Sequence, residues 1–185
     1  MNALLARGDA TKRGRPPGKK IAGGRKLPSR MYKRIKVDES CLYRLPPLDA
    51  GSLAGGEGKG GRLQTGVARS LPHDLALSGR WFDLEEGRRA RVLGVVSIGA
   101  FAVRVRFADV QLAAGEQLFV RSLENTDEVY GPYEGRGLSP DGSFWTPPVV
   151  GDGIVIEYFD SEEQTRASAN ILPFRITEIN HMFRD

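Results

Sequence analysis

Between positions 101 and 107 the side chains alternate: Phe101, Val103, Val105 and Phe107 share one parity, while Ala102, Arg104 and Arg106 share the other. A period of two sends successive side chains to opposite faces of an extended chain, so the segment predicts a half-buried strand. Val92 to Ile98 is a nearly continuous apolar run, cut from the first by Gly99, and predicts another. Gln117 to Arg121 and Val129 to Tyr130 predict two short strands around a turn at Asn125 to Asp127. Ile154 to Phe159 follows the turn residues Gly151, Asp152 and Gly153 and is mostly apolar on both parities, as a central strand covered on both faces would be. Asn170 to Ile179 supplies the last strand; Pro173, which cannot donate to a ladder, marks its start, a bulge or an edge.

Glu162 to Ala169 suits a single helical turn, and no segment beyond Arg80 carries a sustained helical stripe flanked by caps. About seven or eight short strands divided by Gly, Pro and Asp turns predict an all-β fold, a two-sheet sandwich of jelly-roll-like type.

Residues 1–63 lack this patterning. They combine Lys/Arg clusters, the pairs Pro16-Pro17 and Pro46-Pro47, and a run from Gly51 to Gly61 that is mostly Gly, Ala and Ser. Ordering a backbone costs about 1–2 kcal/mol per residue, which such a composition cannot offset by burial. The expected division is therefore a disordered basic tail with a Gly-rich linker over 1–63 and a β-sandwich over 64–185.

Charge divides in the same way. The net +4 of the chain hides 12 Lys/Arg against 3 Asp/Glu in residues 1–40 and 15 against 20 in the rest. A basic arm on a mildly acidic body is attracted to polyanions or simply solvated. With Cys41 as the single cysteine, neither an internal disulfide nor a multi-cysteine zinc site can form. Met-Asn-Ala-Leu-Leu-Ala at the start is shorter than the ~7–15 apolar residues of a signal-peptide core, and no apolar run approaches the ~20 residues of a membrane helix. No secretion signal and no membrane span are expected.

Acyl transfer needs a nucleophile, a histidine base and an orienting carboxylate, with the serine on a turn that supplies oxyanion donors. His73 and His181 are the two histidines, and neither a Gly-Asp-Ser-Gly-Gly segment nor a Gly-x-Ser-x-Gly elbow occurs. No catalytic residue is assigned, and His73, between Pro72 and Asp74, is expected in a solvated loop. Trp81, Tyr130, Tyr133, Phe144 and Trp145 suit a filled core; the alternative is a platform for sugar or peptide. The acidic turns at Asp141 and Asp152 fall short of the six to eight oxygens calcium requires, so no metal and no cofactor are expected.

Two motifs in the tail differ in weight. Gly56, Gly58 and Gly61 match the dinucleotide fingerprint in letters, yet neither strand nor helix frames them. Lys12-Arg-Gly-Arg-Pro-Pro-Gly-Lys-Lys20 resembles an AT-hook, the Arg-Gly-Arg-Pro segment that lies in the minor groove of A·T-rich DNA. Gly14 and Pro16 suit an extended backbone on the groove floor, Arg13 and Arg15 suit its negative channel, and the lysines suit phosphates. Lys12 stands where the motif usually has Pro.

A second resemblance spans the body. Gly66-Val-Ala-Arg69, Gly79-Arg-Trp81, Ser97-Ile-Gly-Ala100, Gly115-Glu-Gln-Leu-Phe-Val120, Gly131-Pro-Tyr133, Phe144-Trp-Thr-Pro147, Gly151-Asp152 before Ile154-Val-Ile-Glu157, and Ile179-Asn-His-Met-Phe-Arg184 occur in order. The series resembles the N-terminal β-sandwich region of secreted bacterial trypsin-like serine proteases of the lysyl endopeptidase type. Met182 and Phe183 replace the Gly and Tyr usual there, and the cysteine-rich start of the protease is missing. The resemblance implies a non-catalytic accessory or pro-region module, truncated or stand-alone, that works by binding outside the cytoplasm. Its partner would be a trypsin-like protease domain or a polymeric extracellular ligand, met through a junction or binding surface at Trp81, Tyr133, Trp145 and His181. The rival reading is a DNA-associated protein tethered through the hook-like tail.

Overall fold

The computed structural model of the chain describes residues 35–49, 57–58, 62–84, 88–125, 127–160 and 171–183. The described secondary structure is β-strand with two short 3-10 turns, at Glu39–Cys41 and Leu75–Ser78. In chain order the strands are β1 (Leu42–Arg44), β2 (Glu57–Gly58), β3 (Arg62–Leu63), β4 (Gly66–Ser70), β5 (Arg80–Asp83), β6 (Arg89–Val96) and β7 (Ala102–Ala108). They continue as β8 (Gln117–Ser122), β9 (Val129–Tyr133), β10 (Phe144–Trp145), β11 (Val149–Val150), β12 (Gly153–Phe159) and β13 (Arg175–Met182).

One sheet runs β1-β6-β12-β8-β9, with β5 sharing the outer edge of β6; the other runs β10-β7-β13-β4, with β11 sharing the edge of β7. The two form the expected sandwich, and β2 and β3 pair separately. Central placement of β12 follows from its composition: all seven of its residues are buried, flanked by β6 and β8. Leu93, Val95, Leu118, Val120, Ile154, Ile156 and Tyr158 of the first sheet meet Val103, Val105, Phe107, Ile176 and Ile179 of the second in the main core. The opposite parity of the first sheet forms a smaller apolar cluster on its outer face, around Val92, Phe119, Val155 and Phe159.

Differences from the pattern reading have local causes. Phe101, whose parity matched the buried face, lies outside β7 and is 47% exposed. It follows the Ser97–Ala100 turn, where Gly99 adopts φ +81°, a left-handed conformation that costs glycine little. Pro173 precedes β13 and accepts the Gln111 N–H, while a bulge lies between Ile176 and Glu178.

The sandwich also begins well before Gln64. Residues 35–49, assigned by composition to the tail, bring β1 alongside β6 in parallel register, Leu42 opposite Gly94. A Cβ at Gly94 would collide with Leu42 Cδ2, so glycine provides the space that Leu42 fills. Cys41 is buried, Ile35 joins the outer cluster, and the Arg121 guanidinium donates to the Ile35 carbonyl at 2.9 Å. A few well-spaced apolar residues offset the ordering of this segment, which bulk composition hides. The remainder of the expected tail, except the β2–β3 pair, and the helical turn at 162–169 lie outside the described residues. No helix among the described residues is long and apolar enough to cross a membrane.

Candidate functional site: a sealed polar bridge and the loops beside it

At the end of β6 the chain turns at Ser97 and crosses to the second sheet. Ser97 has no exposed surface, and its Oγ lies 2.9 Å from Nδ1 of His181 on β13. Arg69 on β4 donates to the same Oγ at 2.9 Å and, through its other nitrogen, to the Pro46 carbonyl. One hydroxyl thus ties both sheets and the N-terminal segment together. Burial, and then the Arg69 charge, hold the His181 imidazole below its ordinary value, with Asp152 partly opposing them. Ser97 and His181 share a hydrogen bond, as a nucleophile and its base do, but His181 is only 1% exposed. No substrate reaches Ser97 Oγ without opening the sandwich.

A second buried polar pair lies on the outer face of the first sheet. Arg121 Nε donates to Glu157 Oε1 at 2.9 Å, with the two side chains 3% and 0% exposed. Glu157 Oε2 has no hydrogen-bond partner, and loss of water pushes this carboxyl up to about 8.

The residues singled out from sequence do not share one surface. Trp81 on β5 is half-buried, edge-on to Tyr158 at 6.1 Å, with the guanidinium groups of Arg89 and Arg91 at 4.6 and 5.4 Å from its centroid. Tyr133 is not at the surface: it is 3% exposed and 5.1 Å from Phe144 in the core. His181 is sealed as described. Trp145, on the β10 edge of the other sheet, is half-buried beneath Arg104 at 5.6 Å. His73 is exposed on a groove of about 190 Å³ whose lining includes Asp74, Leu77, Ile171 and Arg175. The Asp141 carboxylate accepts the Ser139 hydroxyl and the Ser143 N–H, the chemistry of a turn. Among the described residues no three His, Cys, Asp or Glu side chains converge on a metal position. Arg13, Gly14, Arg15 and Pro16 lie outside the described residues.

Sequence reasoning missed the Ser97 bridge, because an isolated serine among apolar residues carries no periodic signal. It also placed Phe101 inside. Ile98 and Phe101, at the Ser97–Ala100 turn, and Val150, at the end of β11, are instead 57%, 47% and 55% exposed.

Fold and site together define a two-sheet β module whose best-formed polar constellation is closed to solvent. The chain belongs to the lysyl endopeptidase N-terminal domain family, which it matches over residues 44–183. A comparison with individual curated proteins returns no match. The match starts inside β1, so the family unit includes part of the segment ahead of Gln64.

Proposed function

We propose that the chain is a binding module for a trypsin-like protease domain of lysyl endopeptidase type and performs no chemistry itself. The observation that supports this most is the family match over residues 44–183, an N-terminal domain distinct from the part that cleaves. The closed Ser97–His181 pair agrees with a structural role. Loops at the ends of a sandwich are the usual recognition surface, since a rigid scaffold presents them to solvent.

The test is calorimetric titration of the full chain with a lysyl endopeptidase catalytic domain whose nucleophilic serine is replaced by alanine. Saturable one-to-one binding is expected, and no turnover of a chromogenic lysine ester by the chain alone. Absence of binding, or ester hydrolysis abolished by Ser97→Ala, overturns the reading.

The Arg13-Gly14-Arg15-Pro16 tract favours a second reading, in which the tail holds the module on A·T-rich DNA. Titration with A·T-rich and G·C-rich duplexes at two ionic strengths tests it: a steep salt dependence, an A·T preference and weaker binding by Arg15→Ala are expected. Indifference to A·T content sinks it.

A further inference from the structure

One end of the sandwich combines exposed apolar side chains, a carboxylate rim and the exit of the last strand. Ile98 occupies the Ser97–Ala100 turn, closed by the Ala100 N–H to the Ser97 carbonyl at 3.1 Å. Phe101 follows directly, donating its N–H to Met182 at 2.7 Å and accepting the Gly151 N–H at 2.9 Å. Val150 stands opposite Ala102 in the β11–β7 pair. A single backbone meshwork therefore holds Ile98, Phe101 and Val150 at the same end. Each is roughly half exposed, although a turn tolerates polar residues without strain. Grouped exposed apolar side chains of this kind mark a surface that another body covers.

Three carboxylates lie on the Val150 side of them, while Arg44, opposite Val96, is paired with Glu39. The Glu128 carboxylate accepts the Val150 N–H at 3.2 Å, Glu124 is exposed beside Gly151, and Asp152 follows Gly151, its carbonyl accepting the Ser97 N–H at 2.8 Å. Arg69, the cation that reaches Ser97, is occupied there and by Pro46, and Arg121 is buried against Glu157. An apolar centre with an acidic rim fits a partner that presents apolar side chains among lysines and arginines.

The direction of β13 adds a second constraint. Its Met182 carbonyl bonds Phe101, and the Phe183 N–H reaches Thr65 at 3.1 Å. Anything joined after β13 emerges beside the apolar centre, where tethering raises its effective concentration.

We propose that the end formed by Ile98, Phe101 and Val150, rimmed by Glu124, Glu128 and Asp152, is the seat of the protease domain. This inference rests on the reading given above and names the contacting surface of that module. Burying the three side chains supplies the hydrophobic part of the contact, while the carboxylates orient the partner and speed its encounter.

The experiment uses the full chain and the same nucleophile-free lysyl endopeptidase catalytic domain. Ile98→Asp and Phe101→Asp are each expected to weaken binding at least about tenfold, and Glu124→Lys to weaken it by a smaller factor and flatten its salt dependence. Ile171→Asp, at the exposed groove beyond the opposite end of β13, is expected to bind as the parent does. Both patch positions are exposed, so thermal melting of the variants should match that of the parent. Parent binding that Ile98→Asp and Phe101→Asp leave intact overturns the seat while sparing the proposed function. Failure of the parent itself to bind overturns both. Sedimentation of the chain alone as a dimer that Phe101→Asp disperses would assign the surface to a second copy and overturn the commitment to a protease.

Discussion

Ser97 Oγ and His181 Nδ1 lie 2.9 Å apart and join the two sheets at a point where neither side chain meets water. Sandwiches normally hold their sheets together by apolar contact alone, which is strong but indifferent to register. A hydrogen bond between fixed positions on β13 and the turn after β6 selects one register. Arg69 extends that selection to β4.

Ser97→Ala should therefore cost more than the loss of one hydroxyl. It leaves His181 Nδ1 without its Oγ partner in a buried setting, which costs about 1–3 kcal/mol, and takes one partner from the half-buried Arg69. We expect a loss of about 2 kcal/mol or more, read as a lower urea midpoint with unchanged slope. Ser139→Ala, in an exposed turn, should stay within about 0.5 kcal/mol.

Two buried titratable groups predict how stability depends on pH. Glu157, raised from 4.5 to about 8, binds its proton more tightly folded than unfolded, so its contribution is complete below 4.5 and is lost as pH rises through about 8. His181 is lowered from 6.5, so its contribution is present above 6.5 and is lost on acidification below it. Below 6.5 the His181 slope opposes that of Glu157, and above it Glu157 acts alone, so about 2 kcal/mol should be lost between about pH 6 and pH 8. Urea unfolding across pH checks this. Glu157→Gln should remove the loss on raising the pH towards 8, and His181→Asn the opposing slope below 6.5.

How far the sequence reveals these features depends on whether they repeat. Alternation at 103–107 and the doubly apolar run at 154–159 mark β7 and β12, because a half-buried and a central strand differ in periodicity. Strands of two or three residues, such as β1, β10 and β11, are too short for a period to register. The aromatic set was legible as core for Tyr133 and Phe144, which pack at 5.1 Å. His181 was legible as a residue to watch, while its partner Ser97 was not, since the two are 84 positions apart and only the crossing of sheets unites them. The family motifs span the body and are matched over 44–183.

The early start of the sandwich can be tested at Gly94. A methyl there meets Leu42 Cδ2, the end of a side chain, so Gly94→Ala should force Leu42 into another rotamer and cost about 1 kcal/mol. Leu42→Ala makes room and should recover part of that loss in the double variant. A coupling of at least about 0.5 kcal/mol between these two positions, from thermal or urea unfolding of the four chains, is the expected signature of direct contact. Strict additivity would mean that β1 does not rest on β6.

Arg89 and Asp160 offer a sharper asymmetry. Arg89 donates to Asp160 Oδ2 through Nε at 2.9 Å and through a terminal nitrogen at 2.6 Å, while its backbone N–H meets Oδ1 at 3.0 Å. The guanidinium side is 18% exposed and stacked 4.6 Å from the Trp81 centroid, whereas the carboxylate side is 3% exposed. A charge that cannot reach water costs more when its partner is removed than one that can turn outward. Arg89→Met, which keeps an apolar contact with Trp81 but strips the carboxylate of its counter-charge, should cost about 3 kcal/mol. Asp160→Asn should cost about 1–2 kcal/mol, because the amide oxygen still accepts and the guanidinium keeps both its aromatic neighbour and a path to solvent. The same urea series measures both, and equal losses would mean that the pair is solvated rather than sealed.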